Sequence, residues 1–221
     1  MTSTELEAKS LTPTNLTDRR LGKRLLDLAI AVSALVASVP ILLLAIVLMQ
    51  LADPGTVLFR QTRIGRGERP FTMLKLRTMR DGDDSAFREF NTQELRGRPN
   101  QTGDGIFKLE NDPRLLPIGR FFRRLSIDEL PQLVNVILGD MSMVGPRPCL
   151  PWEVELFTRE QRRRHEVLPG ITGLWQGSGR NRLTMQQMLA LDLVYVEQQS
   201  FLLDLKILLR TVPAVLLGHT R

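Results

Sequence analysis

A single cysteine, Cys149, stands among 221 residues. No intramolecular disulfide can form, and nothing in the composition argues for an oxidising compartment. Histidine is almost as scarce. His165, after Arg162-Arg163-Arg164 on a predicted helix, and His219 near the end of the chain have no cysteine or acidic partner at ligand spacing, so they make no metal site and are expected at the surface. The chain has no internal repeat and no low-complexity tract, which excludes a repeat architecture. The Gly-rich stretch from Pro169 to Asn181 lacks the Gly-Lys-Ser/Thr ending of a P-loop, although its backbone amides and Arg180 could bind a nucleotide. The longest absence is of charge: from Leu28 to Met49, 22 residues carry none.

What is present is apolar content of 43%, enough for one sizeable core. The net charge of +6, from 30 Lys and Arg against 24 acids, favours phosphate-bearing partners: nucleic acid, anionic lipid or nucleotides. As a helix at about 1.5 Å per residue the uncharged run would reach roughly 33 Å, enough for a hydrocarbon core of about 30 Å. It is long, starts late and has no Ala-x-Ala-type cleavage site after it, which argues against a signal peptide. Basic residues flank both sides: Arg19, Arg20, Lys23 and Arg24 before, and Arg60, Arg63, Arg66, Arg69, Lys75, Arg77 and Arg80 after. A simple span would put one basic cluster outside, against the positive-inside tendency. Pro40 removes a helix hydrogen bond and favours a kink, so a re-entrant helix keeping both clusters in the cytoplasm is preferred over a span, and a buried soluble helix is the third reading.

The organisation expected is a flexible leader over 1–18, a re-entrant membrane helix over 19–52 kinked at Ser38 and Pro40, and a catalytic domain over 53–221 ending in amphipathic surface helices. The fold class is mixed α/β (α+β), mainly helical with a small β-hairpin. Residues 56–60 and 71–77 have the alternating, β-branched and aromatic character of paired strands, with Lys75 and Arg77 on one face as candidate anion contacts or as a solvated edge. Asp81-Gly82-Asp83-Asp84 reads as a turn sooner than as a metal motif. Residues 91–105 read as a polar, Gly-rich loop. The run from Phe201 to Leu217 is amphipathic, either core or membrane surface, with the surface preferred.

The most informative stretch is Arg123 to Pro148. Leu130, Leu133, Val134, Ile137 and Leu138 fall on one helical face, with Gly139 as the stop and Asp128, Glu129, Gln132 and Asn135 pointing elsewhere. Ser126-x-x-Glu129 matches a capping box, but Pro131 fits better in the first turn of a helix capped by Asp128. Asp128 is then either an N-cap or a carboxylate held ionised by the helix end as a nucleophile or metal ligand, and the residues leave both open. Gly145-Pro146-Arg147-Pro148 fixes the backbone around one guanidinium suited to a phosphate.

Lys23-Arg24-x-x-Asp27, Leu58-Phe59-Arg60-Gln61-x-Arg63-Ile64-Gly65, Lys75-Leu76-Arg77-Thr78-Met79, Asp112-Pro113-Arg114, Ser126-Ile127-Asp128-Glu129-Leu130-Pro131-Gln132-Leu133, Gly145-Pro146-Arg147-Pro148 and Pro169-Gly170-Ile171-Thr172-Gly173 occur in that order. The set, covering about residues 20 to 218, resembles the bacterial sugar transferases, monotopic polyprenyl-phosphate phosphoglycosyltransferases. The resemblance implies an enzyme on the cytoplasmic face of the bacterial inner membrane. It implies transfer of a sugar 1-phosphate from a UDP-sugar to undecaprenyl phosphate with release of UMP, in exopolysaccharide, O-antigen, capsule or glycoconjugate synthesis, with Mg²⁺ as cofactor. By position it makes Asp128 the covalent nucleophile and a metal contact and Glu129 the base. Lys75, Arg123, Arg147 and Arg180 are then the phosphate-binding residues, joined by Arg77 from the strand reading. No nucleic acid partner is expected, inner-membrane lipid is, and a homodimer is left open. Two departures stand out: Val39 separates Ser38 from the kinking Pro40, and Ile127 replaces the commoner Leu. A membrane-anchored glycosyltransferase releasing UDP and a non-enzymatic basic binding module are the competing readings.

Overall fold

The computed structural model describes residues 13–98, 114–176 and 183–216. Arg180, His219 and the Asn111–Pro113 motif therefore lie outside the described residues. The described residues fold as a mixed α/β structure, mostly helical with two small sheets.

Helix α1 runs unbroken from Pro13 to Ala52, with Pro40 inside it, and so begins within the stretch read as a leader. Its inward residues are Asp27, Ala31, Ser38, Ala45 and Met49, with Ala34, Leu35 and Leu42 partly buried, at steps of three and four. Ala31, Ser38 and Ala45 recur every seven residues, and their small side chains let the helix lie close against the rest of the fold. The opposite side exposes Leu25, Val32, Val36, Val39, Leu43, Val47 and Leu51. A surface of that size is apolar where a soluble helix is polar.

Strands β1 (Leu58–Ile64) and β2 (Pro70–Leu76) form the expected hairpin, β1 starting two residues and ending four residues later than expected and β2 shifted back by one, joined by a 3₁₀ turn over Arg66–Glu68. Helix α2 (Ser85–Leu95) follows, so residues 91–95 close a helix rather than open a loop. Asp83 accepts from Ser85 N at 2.8 Å and Ser85 Oγ at 2.7 Å, which makes the acidic cluster a helix-start turn. Helix α3 (Pro117–Arg124), a 3₁₀ turn (Ile127–Glu129) and helix α4 (Gln132–Leu138) come next. The second sheet pairs β3 (Ser142–Val144) and β4 (Gly170–Thr172) in parallel. Between them lie short helices α5 (Pro151–Glu155) and α6 (Arg159–Arg162) and a 3₁₀ turn over Arg163–Glu166. Helices α7 (Met185–Gln198) and α8 (Phe201–Leu216) complete the described chain.

The α4 face is rotated from the expected one. Gln132, Leu133, Asn135 and Val136 are buried, whereas Leu138 is 69% exposed. The polar members are inside because they have partners there: Asn135 Oδ1 accepts from Leu74 N at 3.0 Å and its Nδ2 donates to Thr72 O at 2.8 Å. A side-chain amide can match the donor and acceptor of an open strand edge, and this one pins α4 to the free edge of β2. Gly139 ends α4 as expected, in a left-handed conformation with φ 93°.

Helix α8 is amphipathic in the reverse sense. Asp204 and Ile207 face inward, while Phe201, Leu202, Leu205 and Leu209 face out. The core reading holds for one side, and the other presents exposed leucines flanked by Lys206 and Arg210.

Candidate active site

Three elements bring charge together. On the hairpin, register places Arg63 opposite Phe71, Gln61 opposite Met73 and Phe59 opposite Lys75, so Gln61, Arg63, Met73 and Lys75 share one face. The Ile127–Glu129 turn offers Glu129, and the loop after β3 offers Arg147. Arg63, Met73, Lys75, Glu129, Gln132, Arg147, Pro148, Gly170, Ile171 and Gln176 line one cleft.

Within it Lys75 Nζ lies 3.2 Å from Glu129 Oε1. Burial lowers the Lys75 pKa below its ordinary value, opposed by Glu129 and Asp128 and reinforced by Arg147 and Arg63. Arg63 is 7% exposed, and burial, helped by Arg147, pushes its pKa down to about 10, which leaves it a cation at neutral pH. It donates to Gln61 Oε1 at 3.0 and 2.7 Å and to Pro148 O at 3.0 Å. Three cations converge here on one close carboxylate, and desolvated cations of that kind favour an arriving anion.

Asp128 sits on the same turn as Glu129, is 2% exposed and is not among the cleft's lining residues, though its charge acts on Lys75. Ser126, at φ 55°, precedes the turn in a left-handed conformation, and α4 begins only at Gln132, with Pro131 before it. Neither the 3₁₀ turn nor α4 has a side-chain cap. The capping box and the Asp128 N-cap are therefore both corrected: Pro131 separates the turn from the helix, and the carboxylate pair sits in the tight turn ahead of it.

The loop bearing Arg147 is clamped from several directions. Gly145 N donates to Thr172 O at 2.9 Å and Gly170 N to Pro146 O at 2.8 Å. A β-carbon on Gly170 would collide with the Gly145 backbone nitrogen, so the Gly-rich stretch serves backbone packing here. Arg164 Nη2 donates to Arg147 O at 2.7 Å and to Asp192 Oδ2 at 2.6 Å, and its Nη1 lies 3.1 Å from Cys149 Sγ. Arg147 itself projects exposed into the cleft.

The remaining candidates lie elsewhere. Arg77 pairs with Asp53 Oδ2 at 2.9 Å and donates to Asp53 O at 2.6 Å, tying the end of β2 to the end of α1. The face shared with Lys75 is lost because the strand ends at Leu76. Arg123 is half-buried on α3 with Nη1 3.2 Å from Met79 Sδ, and it is not among the cleft residues. Ser38 is buried and its Oγ donates to Leu35 O at 2.9 Å. His165 is not at the surface: it is 6% exposed, stacked on Phe157 at 6.3 Å and 3.9 Å from Cys149 Sγ. Among the described residues no three ligating side chains form a metal cluster.

The sequence pattern alone missed Arg63, Gln132, Gln176 and the Arg164–Asp192 pair. Arg63 had a signal in the strand alternation from Lys75 through its cross-strand neighbours. Arg164 had none, because the second of three consecutive arginines reads as surface charge.

A profile of the bacterial sugar transferases matches residues 18–218. The chain belongs to the bacterial sugar transferase family. It is 44% identical over 197 residues to the sugar transferase EpsL of Bacillus subtilis, covering 89% of this chain and 88% of that one. It is 40% identical over 201 residues to the exopolysaccharide production protein ExoY of Sinorhizobium fredii, covering 90% and 87%. With the UDP-glucose:undecaprenyl-phosphate glucose-1-phosphate transferase of Caulobacter vibrioides it shares 42% over 207 residues, 89% of this chain and 70% of that protein.

In this sugar transferase the Lys23-Arg24-x-x-Asp27 motif ties several of the other motifs together. Lys23 Nζ donates to Val144 O at 3.1 Å and pairs with Asp204 at 2.7 Å. Arg24 donates to Val136 O at 2.6 Å and Ile137 O at 2.9 Å, capping the negative end of α4. Asp27 accepts from Met143 N at 3.0 Å. The N-terminal part of α1 thus holds the helix after the carboxylate pair and the strand before Arg147, while Asp53 at its other end holds the strand bearing Lys75.

Proposed function

We propose that this protein transfers a sugar 1-phosphate from a UDP-sugar to undecaprenyl phosphate and releases UMP, on the cytoplasmic face of the inner membrane. The observation carrying this reading is the juxtaposition of Asp128 and Glu129 on one turn with Arg63, Lys75 and Arg147, in a fold whose helices expose leucines. In the first step an Asp128 carboxylate oxygen attacks the phosphorus bearing the sugar. The bond to the bridging oxygen breaks and UMP leaves with that oxygen. An oxygen of the lipid phosphate then attacks the same phosphorus, displaces the Asp128 carboxylate and forms the lipid diphosphate-sugar. Glu129 takes the proton from the lipid phosphate when it arrives as a monoanion. Splitting one displacement into two lowers each barrier, and fixed cations offset charge on the transferring group.

The carboxylates of Asp128 and Glu129 fit Mg²⁺, which commonly takes one or two carboxylates and completes its shell with phosphate oxygens and water. When bound it supplies neutralisation of diphosphate charge.

A re-entrant or interfacial placement of α1 is supported by its ties to the same domain at Lys23, Arg24 and Asp27 and again at Asp53. A helix fastened at both ends to one domain does not carry one end across a bilayer away from it.

The test is purified protein in lipid with a panel of UDP-sugars, Mg²⁺ and undecaprenyl phosphate, with the released nucleotide identified. UMP is expected, together with a phosphosugar adduct on Asp128 when lipid is omitted, and both vanish in Asp128→Asn. Release of UDP instead would identify a glycosyltransferase moving the sugar alone, and no nucleotide release with any sugar would defeat the reading.

A further inference from the structure

We propose that Phe59 is the contact for the first isoprene units of the lipid acceptor, at the point where its phosphate enters the cleft. The inference rests on the sugar-phosphate transfer proposed above and adds a binding subsite to it.

Phe59 pairs directly with Lys75 across the hairpin. Opposed residues of an antiparallel pair stand on the same face with β-carbons about 5 Å apart, so the Phe59 side chain leaves the hairpin on the face from which Lys75 reaches the cleft. It is nonetheless 40% exposed. Its neighbour Leu58 is 42% exposed and pairs with Leu76 on the other face. There Leu76 packs with Met49 and Ala45 of α1, and Leu51 at the end of α1 is 78% exposed. Arg77 N to Val57 O at 2.9 Å and the Arg77–Asp53 pair fasten this end of the hairpin to the end of α1. Exposed apolar side chains at Leu51, Leu58 and Phe59 thus flank the junction of the hairpin with the end of α1, and Phe59 is the one on the Lys75 face, so the hairpin passes from apolar at this junction to cationic at the cleft.

One substrate class matches that gradient: an anionic phosphate joined through a single oxygen to a branched hydrocarbon. A nucleotide sugar carries hydroxyl-rich groups on both sides of its phosphates and gains little from an apolar rim reached from the membrane side. The phosphate meets Lys75 and Arg147, and the hydrocarbon crosses Phe59 on its way to the outer side of α1.

The experiment compares wild type, Phe59→Ala and Phe59→Leu in nonionic detergent, by calorimetric titration with a short-chain prenyl phosphate and by steady-state kinetics. Phe59→Ala is expected to weaken prenyl phosphate binding and raise the KM for the lipid about ten-fold, as for the loss of part of one aromatic side chain. Phe59→Leu is expected to recover most of that loss, and the KM for UDP-sugar to change less than two-fold. Prenyl phosphate affinity unmoved by Phe59→Ala overturns the inference. So does a KM increase confined to UDP-sugar, which would assign the ring to the nucleotide, or equal weakening of both substrates. Phe59-dependent prenyl phosphate binding without UMP release from any UDP-sugar would uphold the subsite and defeat the function, so the two failures are distinct.

Discussion

Arg164 and Asp192 meet at 2.6 Å in a site where their side chains are 7% and 2% exposed, and the same guanidinium nitrogen donates to the carbonyl of Arg147 at 2.7 Å. Burial raises the Asp192 pKa to about 6 despite the attraction of Arg164. At neutral pH the carboxylate is ionised, and below about pH 6 it takes up a proton and loosens its hold on the arginine that orients the Arg147 backbone. Because the folded value lies above the ordinary 3.8, this group's own contribution to stability is fully present below that value and is lost as pH rises through 6. Activity therefore falls where stability from Asp192 does not. kcat/KM for wild type is expected to drop as pH falls through 6, toward the level of Asp192→Asn, and the variant is expected to lack that step. A pH–rate profile of both proteins checks it.

His165 titrates the opposite way. Burial, with the adjacent Arg164 charge, pushes its pKa down from 6.5 to about 4. Stability from the neutral ring is present above 6.5 and is lost as pH falls through 4, by about 3 kcal/mol at about 1.4 kcal/mol per pH unit. Arg162 opposes its protonation and Glu68 favours it. His165→Gln is expected to lower stability at pH 7 and to flatten the decline between pH 6.5 and 4, read by thermal unfolding across that range.

Asn135→Leu is expected to cost about 1–3 kcal/mol for each backbone group it strands, the Leu74 amide and the Thr72 carbonyl. Lys75 follows Leu74 directly, so kcat/KM is expected to fall as well, with Asn135→Asp intermediate because it keeps an acceptor for Leu74. Melting temperature and kinetics on the three proteins separate the two effects.

Lys23→Met strands the Asp204 carboxylate, which is 2% exposed. Breaking one side of a buried pair costs about 3–5 kcal/mol. Tyr195 also donates to Asp204, at 2.7 Å, so a value near the lower end is expected. The double variant Lys23→Met with Asp204→Leu is expected to recover most of it, by thermal unfolding in detergent.

The hairpin, the α4 stop at Gly139 and the apolar run were legible because each depends on local chemistry: alternation, a left-handed glycine, an absence of charge. The buried face of α4 was not. Leu138 looked like core and Asn135 like surface, and only the open edge of β2, sixty residues away, reverses them. The carboxylate pair was visible as a pair, but its position in a separate 3₁₀ turn depends on Ser126 adopting a left-handed conformation, which no propensity forecasts. Arg77 failed for a similar reason: one residue beyond the strand end, alternation stops applying and Asp53 captures it. Arg164 and His165 looked solvated within a basic run, and their burial comes from packing by α7 and Phe157 that only the tertiary fold reveals.

Helix α1 is fastened at Lys23, Arg24, Asp27 and Asp53 to the parts that carry the carboxylates, Arg147 and Lys75. It is therefore not a tether that can be cut away to give a soluble enzyme. Removing it would strip the keel from the domain, leaving Asp204 without its cation, the last carbonyls of α4 without Arg24, and the clusters around Met73 and Val136 and around Leu76 and Phe122 open to solvent. A water-soluble version is better sought by replacing the outward leucines and valines of α1 and α8 with polar residues, keeping the inward stripe intact.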